Sequence, residues 1–396
     1  MKKNIYYLTL SLFLISCSPI PKILNNGTIK ETSFIEKIPF TFDYGVPIIK
    51  VTINGKNYNF LFDTGAPTVI SPELAIQLNL KAAAKSKTSD SQGNSHQQEF
   101  VVVPEIKIGD LNFERIGAVV IDMKKIFEFK CMHFDGIIGA NQMAKAVWQI
   151  DYRNKILTVS NEVNNFNIPK DAQIINFLPK KGLRTPLVPF KIGTKTAYVT
   201  FDTGATTDFN LPYDIFENEI LLFKGIEANG NSSSGIYGSS KSSTTTYKKI
   251  PSLAIDDLKL TNQIITFSEG SSSLIGNTLF KNYRLILNWK ENKIYLIKEV
   301  DYKNDKYDTF GIGLKYIDNK PIIVKIFKGT QAEKSGLLIN DQLIELDGKD
   351  TSNLTEAEAC YFSFNNILSG KETRQITVLR DGEKLTFNLK RQIILE

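Results

Sequence analysis

The stretch FLFDTGA, residues 60–66, recurs as VTFDTGA, residues 199–205, and this repeat decides the fold. Each copy places Asp-Thr-Gly-Ala directly after apolar and β-branched residues, which is the pattern of a buried strand that ends in a turn. One such tetrapeptide alone indicates little more than a turn. Two copies in matched surroundings indicate that Asp63 and Asp202 occupy equivalent positions.

The repeat extends well beyond these seven residues. Upstream, VPIIKVTINGKNYNFLFDTGA (46–66) aligns with TPLVPFKIGTKTAYVTFDTGA (185–205). Downstream, FDGIIGANQMAKAVWQIDYRNKILTV (134–159) aligns with SSSLIGNTLFKNYRLILNWKENKIYL (271–296). Two copies of this length are too few and too long for a solenoid of short repeats. The sequence therefore predicts a mainly β protein with two pseudo-symmetric lobes, residues 34–165 and 170–300.

Composition excludes several classes of protein. The chain has 396 residues, of which 42% are hydrophobic and 23% charged, as in an ordinary globular protein of two or three domains. The net charge is +6, but the basic residues are scattered, so no nucleic-acid partner is predicted. With two His, three Cys and no cysteine pair at ligand spacing, we expect no metal and no cofactor.

Two cysteines lie beyond the N-terminal segment. Cys131 falls in the first predicted lobe and Cys360 near the C-terminus, in different predicted domains. Two separate buried thiols are therefore expected in preference to a disulfide.

The N-terminal segment, residues 1–17, is typical of a secretory signal. A positively charged start precedes a mostly apolar run, residues 5–15, that is too short to span a bilayer as a mature helix. The run ends in LISC, which resembles a bacterial lipobox, so Cys17 is the predicted lipidation site. An ordinary secretory signal and an uncleaved anchor are the alternatives. Residues 18–33 are polar and fit a tether, which predicts a protein anchored by lipid in the bacterial cell envelope, at the outer membrane or periplasm or on the cell surface.

Both copies of Asp-Thr-Gly-Ala resemble the active-site strand and turn of aspartic peptidases of the pepsin/retropepsin clan. Alanine after the glycine is closer to retropepsins and their two-lobed bacterial relatives than to pepsin. The downstream stretches DGIIG (135–139) and SLIG (273–276) resemble the apolar element with a glycine that supports each active loop. The resemblance covers roughly residues 40–300 and implies two aspartic-peptidase β-barrel lobes.

The same resemblance implies the roles of individual residues. Asp63 and Asp202 would form the catalytic pair. Support of the catalytic loops falls to six residues: Thr64, Gly65, Ala66, Thr203, Gly204 and Ala205. The stretch 88–94 lacks the tyrosine that pepsin-like enzymes carry in their flap, although a flap hairpin around Gly93 fits it. Pro67 also departs from the common retropepsin pattern without touching the pair.

Paired carboxylates have a chemistry that can be stated without reference to a family. Hydrolysis of a peptide bond without a metal or a nucleophilic side chain needs one group to accept a proton from water and another to donate one. Two carboxylates about 3 Å apart cannot both ionise readily, so they share one proton and exchange roles during the reaction. Because such a pair titrates as a unit, neither aspartate receives a fixed role.

From about residue 305 the sequence no longer follows the repeat. Residues 305–392 resemble a bacterial PDZ domain, an α/β fold, with AEKSGL (332–337) and NDQLI (340–344) near the family's core motif. The resemblance assigns peptide binding to a carboxylate-binding loop of four residues: Gly311, Ile312, Gly313 and Leu314. In such a loop backbone N–H groups capture a terminal carboxylate while the peptide adds to the sheet edge. A PDZ fold that only packs against the lobes is the alternative.

The sequence thus predicts an aspartic endopeptidase that acts on a peptide or protein substrate through activated water. Its PDZ domain would bind a peptide or regulate cleavage, and its lipid anchor would attach it to a membrane. Dimerisation is not required, because both half-sites lie in one chain. The alternative is a non-catalytic peptide-binding scaffold that retains the peptidase fold.

Overall fold

The computed structural model describes residues 19–240, 244–270 and 273–396, and within them the chain is mainly β. The predicted signal, residues 1–17 with Cys17, lies outside the described residues. In the part that is described, no helix is long and apolar enough to cross a membrane.

The strands fall into three groups along the chain. The first group ends before residue 161 and comprises β1 (Thr28–Ile29), β2 (Ile35–Thr41), β3 (Ile48–Ile53), β4 (Lys56–Asp63), β5 (Val69–Ile70), β6 (Ala84–Ser89), β7 (Ser95–Ile108), β8 (Leu111–Val120), β9 (Gly136–Gly139), β10 (Val147–Asp151) and β11 (Ile156–Ser160). The second group comprises β12 (Gln173–Asn176), β13 (Leu178–Pro179), β14 (Pro186–Ile192), β15 (Lys195–Phe201), β16 (Phe209–Pro212), β17 (Gly225–Gly230), β18 (Ser234–Gly235), β19 (Gly238–Ser239), β20 (Thr244–Ile255), β21 (Leu258–Ser268), β22 (Leu274–Ile275), β23 (Tyr283–Asn288) and β24 (Lys293–Lys298). The C-terminal group comprises β25 (Tyr307–Thr309), β26 (Ile312–Ile317), β27 (Lys320–Phe327), β28 (Gln342–Leu346), β29 (Lys349–Asp350), β30 (Thr373–Arg380), β31 (Glu383–Lys390) and β32 (Gln392–Leu395).

Helices are short and lie between the strands. They are α1 (Ile20–Leu24), α2 (Pro72–Gln77), α3 (Phe127–Met132), α4 (Ala140–Met143), α5 (Tyr213–Ile220), α6 (Asn277–Phe280), α7 (Gln331–Lys334) and α8 (Glu356–Phe364), with 3₁₀ turns at Met123–Lys125 and Val163–Asn165.

Two large sheets organise these strands. The first has the order β12-β24-β23-β10-β11-β2-β3-β4-β9-β5-β8-β7-β6, with β1 paired to β8. The second has the order β13-β14-β15-β22-β16-β21-β20-β17-β27-β28-β30-β31, with β26 on β27 and β29 on β28. Strands β23 and β24 follow the second Asp-Thr-Gly-Ala in sequence yet join the first sheet beside β10, so the two halves of the repeat share a sheet.

The two copies of the repeat form the same strand pairings. In the first copy β4 runs parallel to β9, and Asp63 lies opposite Gly139. In the second copy β15 runs parallel to β22, and Phe201 lies opposite Ile275. In each copy, a short strand after the tetrapeptide, β5 or β16, pairs antiparallel with the apolar-glycine strand. The apolar-glycine elements therefore lie beside the strands that carry the tetrapeptides.

Local sequence signals account for a helix start and two hairpin turns. Helix α2 begins at Pro72 after Ser71, whose Oγ accepts the Leu74 N–H at 3.2 Å. Asn54-Gly55 joins β3 to β4, and Asp381-Gly382 joins β30 to β31, all four with positive φ. Two-residue hairpin turns of this type favour Asn-Gly and Asp-Gly because both central residues need left-handed backbone.

The prediction of a tether over residues 18–33 is wrong for much of that stretch. Helix α1 buries Leu24, and β1 pairs with β8. The Asn141 Nδ2 donates to the Leu24 carbonyl at 2.9 Å, and a Cβ on Gly117 would lie 2.0 Å from the Ile23 carbonyl oxygen. Apolar residues in this polar stretch gain stability by burial against β8, which the average composition of the segment conceals.

The C-terminal unit, residues 305–392, continues the second sheet. Strand β27 pairs antiparallel with β17, with Ala228 opposite Phe327 and Gly230 opposite Lys325. Strand β26 pairs with β27 along its length, and β28 pairs with β27 at Ile322, on the edge opposite β26. The unit therefore shares backbone hydrogen bonds with the repeat, as well as side-chain contacts.

The expectation of two separate thiols is wrong, because Cys131 on α3 and Cys360 on α8 form a disulfide with a Cα–Cα distance of 5.3 Å. Pairing of β17 with β27 joins the C-terminal unit to the second half, and α8 of this unit also packs against α3 of the first half, so cysteines 229 residues apart in sequence meet. Phe127 stacks on Tyr316 at the same contact. The bond depends on tertiary packing between domains, which spacing along the chain does not reveal.

Reduction of this disulfide is expected to lower the free energy of unfolding by about 2–5 kcal/mol, because the bond closes a very long loop and restricts the unfolded chain. Urea unfolding with and without a thiol reductant measures the change. The double variant Cys131→Ser/Cys360→Ser is the control and should not respond to reductant. Equal stability of the oxidised and reduced parent would contradict a bridge between these domains.

Candidate active site

Strands β4 and β15 are buried, and each leads directly into one of the two tetrapeptides. Phe60, Leu61 and Phe62 of β4 are buried, as are Val199 and Phe201 of β15. Strands with such buried side chains give rigid support, because each ring is fixed by packing on several sides. The Phe62 ring lies 5.1 Å from Trp148, and Phe201 stacks on Phe280 at 3.8 Å between centroids.

The glycine of each tetrapeptide lies against the aspartate of the other. A Cβ built on Gly65 would lie 2.5 Å from the Asp202 Cγ, and one built on Gly204 would lie 2.3 Å from the Asp63 Cγ. Any side chain at either position would overlap a carboxyl group, so only glycine permits this approach. The arrangement brings Asp63 and Asp202 together across a nearly two-fold contact, as the sequence predicts.

The two threonines lock the loops to each other. The Thr64 N–H donates to the Thr203 Oγ1, and the Thr203 N–H donates to the Thr64 Oγ1, both at 3.0 Å. The Thr203 hydroxyl also donates to the Phe62 carbonyl at 2.8 Å, and the Thr64 hydroxyl to the Phe201 carbonyl. Both threonine side chains are fully buried, so every one of these groups would lack water if its partner were lost.

Backbone N–H groups fix the rotation of each carboxylate. The Asp63 Oδ1 accepts from the Gly65 N–H at 2.7 Å and the Ala66 N–H at 3.1 Å. The Asp202 Oδ1 accepts from the Gly204 N–H at 2.8 Å. The two carboxyl groups lie close enough for each to affect the pKa of the other.

Burial raises the pKa of both carboxyls of this pair. For Asp202 the loss of solvation acts first and the charge of Asp63 second, and together they hold the pKa well above its usual 3.8. Burial also raises the pKa of Asp63, against hydrogen bonds that favour its ionised form. One proton shared between two adjacent carboxyls is the state that these effects favour.

A raised pKa makes stability depend on pH in a defined direction. The folded pair holds its proton more tightly than unfolded aspartate does, so its contribution to stability is most favourable below the unfolded pKa of 3.8 and is lost as pH rises through the raised folded pKa. In Asp202→Asn only one carboxyl remains, so most of the loss of stability with rising pH should disappear. We therefore expect the variant to gain stability relative to the parent between about pH 4 and about pH 7, measured by urea unfolding. Parallel pH dependences of parent and variant would contradict the shared proton.

A further layer of hydrogen bonds holds each tetrapeptide from behind. The Ala140 N–H donates to the Ala66 carbonyl, and the Asn277 N–H donates to the Ala205 carbonyl, each at 2.9 Å. Both donors follow the glycine of an apolar-glycine strand, so the two copies use equivalent positions.

Two asparagines in this layer support the tetrapeptides, and the sequence motifs did not identify them. The Asn277 Nδ2 donates to the Thr203 carbonyl at 2.6 Å, and its Oδ1 accepts from the Tyr152 hydroxyl at 2.8 Å. The Asn141 Oδ1 accepts from the Thr68 N–H at 2.7 Å. Both asparagines could have been predicted as supporting residues, because each lies within two residues of the glycine of an apolar-glycine strand.

A hairpin of the first half reaches towards the second half. Strands β6 and β7 pair antiparallel, and their connection at 90–94 has Gly93 with positive φ, as expected of a flap hairpin around that glycine. We call residues 84–108 the flap. The Asp90 Oδ1 holds the tip by accepting the N–H groups of Gln92 and Asn94 at 3.0 and 2.9 Å.

The flap tip is held by residues 231–240 of the second half, which we call the facing loop. The Tyr237 N–H donates to the Asp90 Oδ2 at 2.9 Å, and the Tyr237 hydroxyl forms a hydrogen bond with the Thr88 hydroxyl. Asn94 adds a bond from its Nδ2 to the Ser239 carbonyl at 3.2 Å. Tyr237 and Ala66 both pack against the apolar cluster that contains Val46, Leu61 and Phe100.

The predicted carboxylate-binding loop lies at the start of β26. Gly311 uses its N–H internally, donating to the Thr309 Oγ1 at 3.0 Å, and its carbonyl accepts from the Phe327 N–H at 2.9 Å. Ile312, Gly313 and Leu314 follow in β26, which within the described residues pairs on one side only, with β27. Helix α8 packs nearby, and a cavity of about 570 Å³ lies where α3 and the facing loop meet the far end of β26.

Two parts of the chain match models of known families. Residues 49–141 match the family model described as aspartyl protease, and residues 309–390 match the model of a PDZ domain. The first match contains Asp63 and Gly139, whereas the assignment of Asp202 depends on the internal repeat. No curated protein matches the chain. Across the ranges that the structure describes, no group of three or more His, Cys, Asp or Glu side chains could hold a metal ion.

Proposed function

We propose that this chain, which carries an aspartyl protease domain followed by a PDZ domain, is an endopeptidase that hydrolyses peptide bonds with water activated between Asp63 and Asp202. The observation that carries the proposal is the reciprocal contact in which each glycine lies against the opposite carboxyl. This contact brings two partly buried carboxyls together at one place, as hydrolysis by an activated water molecule requires.

The chemistry follows from the shared proton. The ionised carboxylate accepts a proton from water as the water oxygen attacks the peptide carbon, while the protonated carboxyl donates to the carbonyl oxygen. The resulting tetrahedral diol collapses when the newly protonated carboxyl donates its proton to the amide nitrogen, the ionised carboxylate accepts a proton from a diol hydroxyl, and the C–N bond breaks. The carboxyls thereby exchange roles and return to the singly protonated state.

The threonine network supports this mechanism, because it fixes the relative position of the two loops. A general acid and base must lie within hydrogen-bond reach of the reacting atoms, so small displacements lower the rate steeply. Four hydrogen bonds that cross between the loops, all buried, hold the two aspartates in register. The substrate would lie extended beneath the flap, against the two aspartates.

A non-catalytic peptide-binding scaffold is the competing function. Burying two adjacent carboxyls is unfavourable, as the raised pKa of each shows, and a scaffold gains nothing from it. A hydrolase needs this arrangement, which favours turnover.

We further propose that the protein is anchored to the bacterial cell envelope through a lipid on Cys17 and that its PDZ domain binds a peptide. The lipobox-like sequence supports the anchor, and the Cys131–Cys360 disulfide fits an oxidising compartment. Fatty-acid labelling and cell fractionation test the anchor: labelled protein in the membrane fraction is expected, and unlabelled soluble protein would refute it.

Cleavage of a diverse peptide library tests the proposed activity. Purified residues 18–396 and the variant Asp63→Asn are incubated with the library between about pH 3 and about pH 8, and the new termini are mapped by mass spectrometry. Cleavage within peptides by the parent alone is expected. Equal cleavage by both proteins, or none by a folded parent at any pH, would overturn the proposal.

A further inference from the structure

Lys315 of the PDZ strand β26 buries its ammonium group against the facing loop. Its side chain leaves the C-terminal unit and donates three hydrogen bonds to this loop, and the residue is only 8% exposed. The Nζ donates to the Ser234 Oγ and the Ser239 Oγ, both at 2.7 Å, and to the Ser233 carbonyl at 3.1 Å. An ammonium group has three protons to donate, and all three go to this one loop.

These three bonds are unusual because they end on uncharged oxygens. A buried charge is costly unless hydrogen bonds replace its hydration, so the oxygens of the loop must be held in place around the ammonium group. Conversely, the ammonium group fixes the loop, since it joins residues on both strands of the small hairpin β18–β19.

The facing loop contains little regular structure. Its sequence, NSSSGIYGSS (231–240), is rich in glycine and serine, which favour many backbone conformations in the absence of specific contacts. Its hairpin ladder pairs Ser234 with Ser239 and Gly235 with Gly238, so individual hydrogen bonds and side-chain contacts supply the rest of its order. Segments of this composition belong to the least stable parts of a fold unless side chains fix them.

The hairpin β18–β19 also contacts the flap tip. The Asp90 Oδ2 accepts the Tyr237 N–H, and a Cβ on Gly235 would lie 2.4 Å from that oxygen. His96 of the flap also packs against the Tyr237 ring, with centroids 5.1 Å apart. A continuous set of contacts therefore runs from β26 through Lys315 and the facing loop to the flap.

We propose that Lys315 is a positioning residue for the candidate active site: from the PDZ domain it holds the facing loop in the conformation that grips the flap tip. This inference rests on the proposed function where cleavage is concerned, but its structural part does not. The PDZ domain is then a component of the apparatus that closes over the substrate, and a full-length chain is needed for a properly formed cleft.

Hydrogen exchange tests this directly. In Lys315→Met the side chain keeps a similar length and loses its charge and its donors. We expect amides of the flap tip and the facing loop, residues 88–95 and 233–239, to exchange at least about tenfold faster than in the parent, a change of about 1.4 kcal/mol in local opening. Amides of β30 and β31 should not change. Lys320→Met, an exposed lysine on β27, is the matched control and should exchange like the parent.

Enzyme kinetics give the second readout. For a peptide that the parent cleaves, Lys315→Met should lower kcat/KM by about tenfold, mainly through KM, while the pH profile keeps its shape because the aspartate pair is intact. A purely structural lysine would instead loosen the whole C-terminal unit, including β30 and β31, and leave the flap tip no more affected than the rest.

The two readouts separate failure of this inference from failure of the proposed function. Unchanged exchange in the flap and facing loop of Lys315→Met would overturn the positioning role even if the parent cleaves peptides. If no peptide is cleaved by the parent, the proposed activity fails, and faster exchange confined to these two segments would still establish that Lys315 holds them.

Discussion

Replacing Asp202 by Asn is expected to lower kcat for peptide cleavage by about 10³-fold, because the pair loses a group that can accept or donate a proton. Asn keeps the size of the side chain and can still accept the Gly204 N–H, which the Asp202 Oδ1 accepts at 2.8 Å. The loss is therefore chemical and does not come from a collapsed site. Initial rates at the optimal pH of the parent measure it.

Two controls make this result specific. Asp110→Asn, at an exposed turn whose side chain is 88% accessible, should keep full activity. Urea unfolding of Asp202→Asn at neutral pH should show a stability at least equal to that of the parent, since the neutral amide removes a carboxyl whose pKa is raised by burial and by the charge of Asp63. Activity within tenfold of the parent would exclude Asp202 from the reaction.

Replacing Thr203 by Val is expected to lower the free energy of unfolding by about 2–6 kcal/mol. Val has nearly the same shape but no hydroxyl, so the Thr64 N–H loses its acceptor and the Phe62 carbonyl loses a donor. Both groups lie in a fully buried environment, where each unpaired backbone group is costly. Urea or thermal unfolding measures the loss.

Thr203→Ser is the matched control, because it restores the hydroxyl and removes only a methyl group. It should recover most of the stability that Thr203→Val loses and most of the cleavage rate as well. If the Val and Ser variants were equally stable, the hydrogen bonds between the loops would not be what holds the two aspartates together.

The paired site could be predicted from the sequence because the Asp-Thr-Gly-Ala motif occurs twice, each time in matching surroundings. A single Asp-Thr-Gly specifies only a turn, but a repeat that extends through the flanking strands requires the two copies to adopt equivalent structures. The reciprocal bonds of Thr64 and Thr203 and the contacts of Gly65 and Gly204 follow from that equivalence.

Local signals of turns and caps were also reliable, because they depend on neighbouring residues alone. Ser71 caps α2, and the helix ends at Gln77, shortly before the left-handed backbone of Asn79. The hairpin around Asp381-Gly382 has the same local origin.

Contacts between domains could not be predicted, since they depend on how units pack. The Cys131–Cys360 disulfide and the Lys315 bonds both arise where the C-terminal unit meets the two halves of the repeat. Nothing in the sequence around Cys131, Cys360 or Lys315 indicates which residue each of them contacts. The burial of Leu24 was missed for a related reason: its partner surface, β8, begins far along the chain.

The central claim is that Asp63 and Asp202 act as one catalytic unit. Single-turnover cleavage of one library peptide by Asp63→Asn, Asp202→Asn and the double variant tests it most directly. Because a unit is disabled by the loss of either member, we predict that all three rates fall together, within about threefold of one another. A double variant whose loss is the product of the two single losses, or a single variant that cleaves like the parent, would contradict the account.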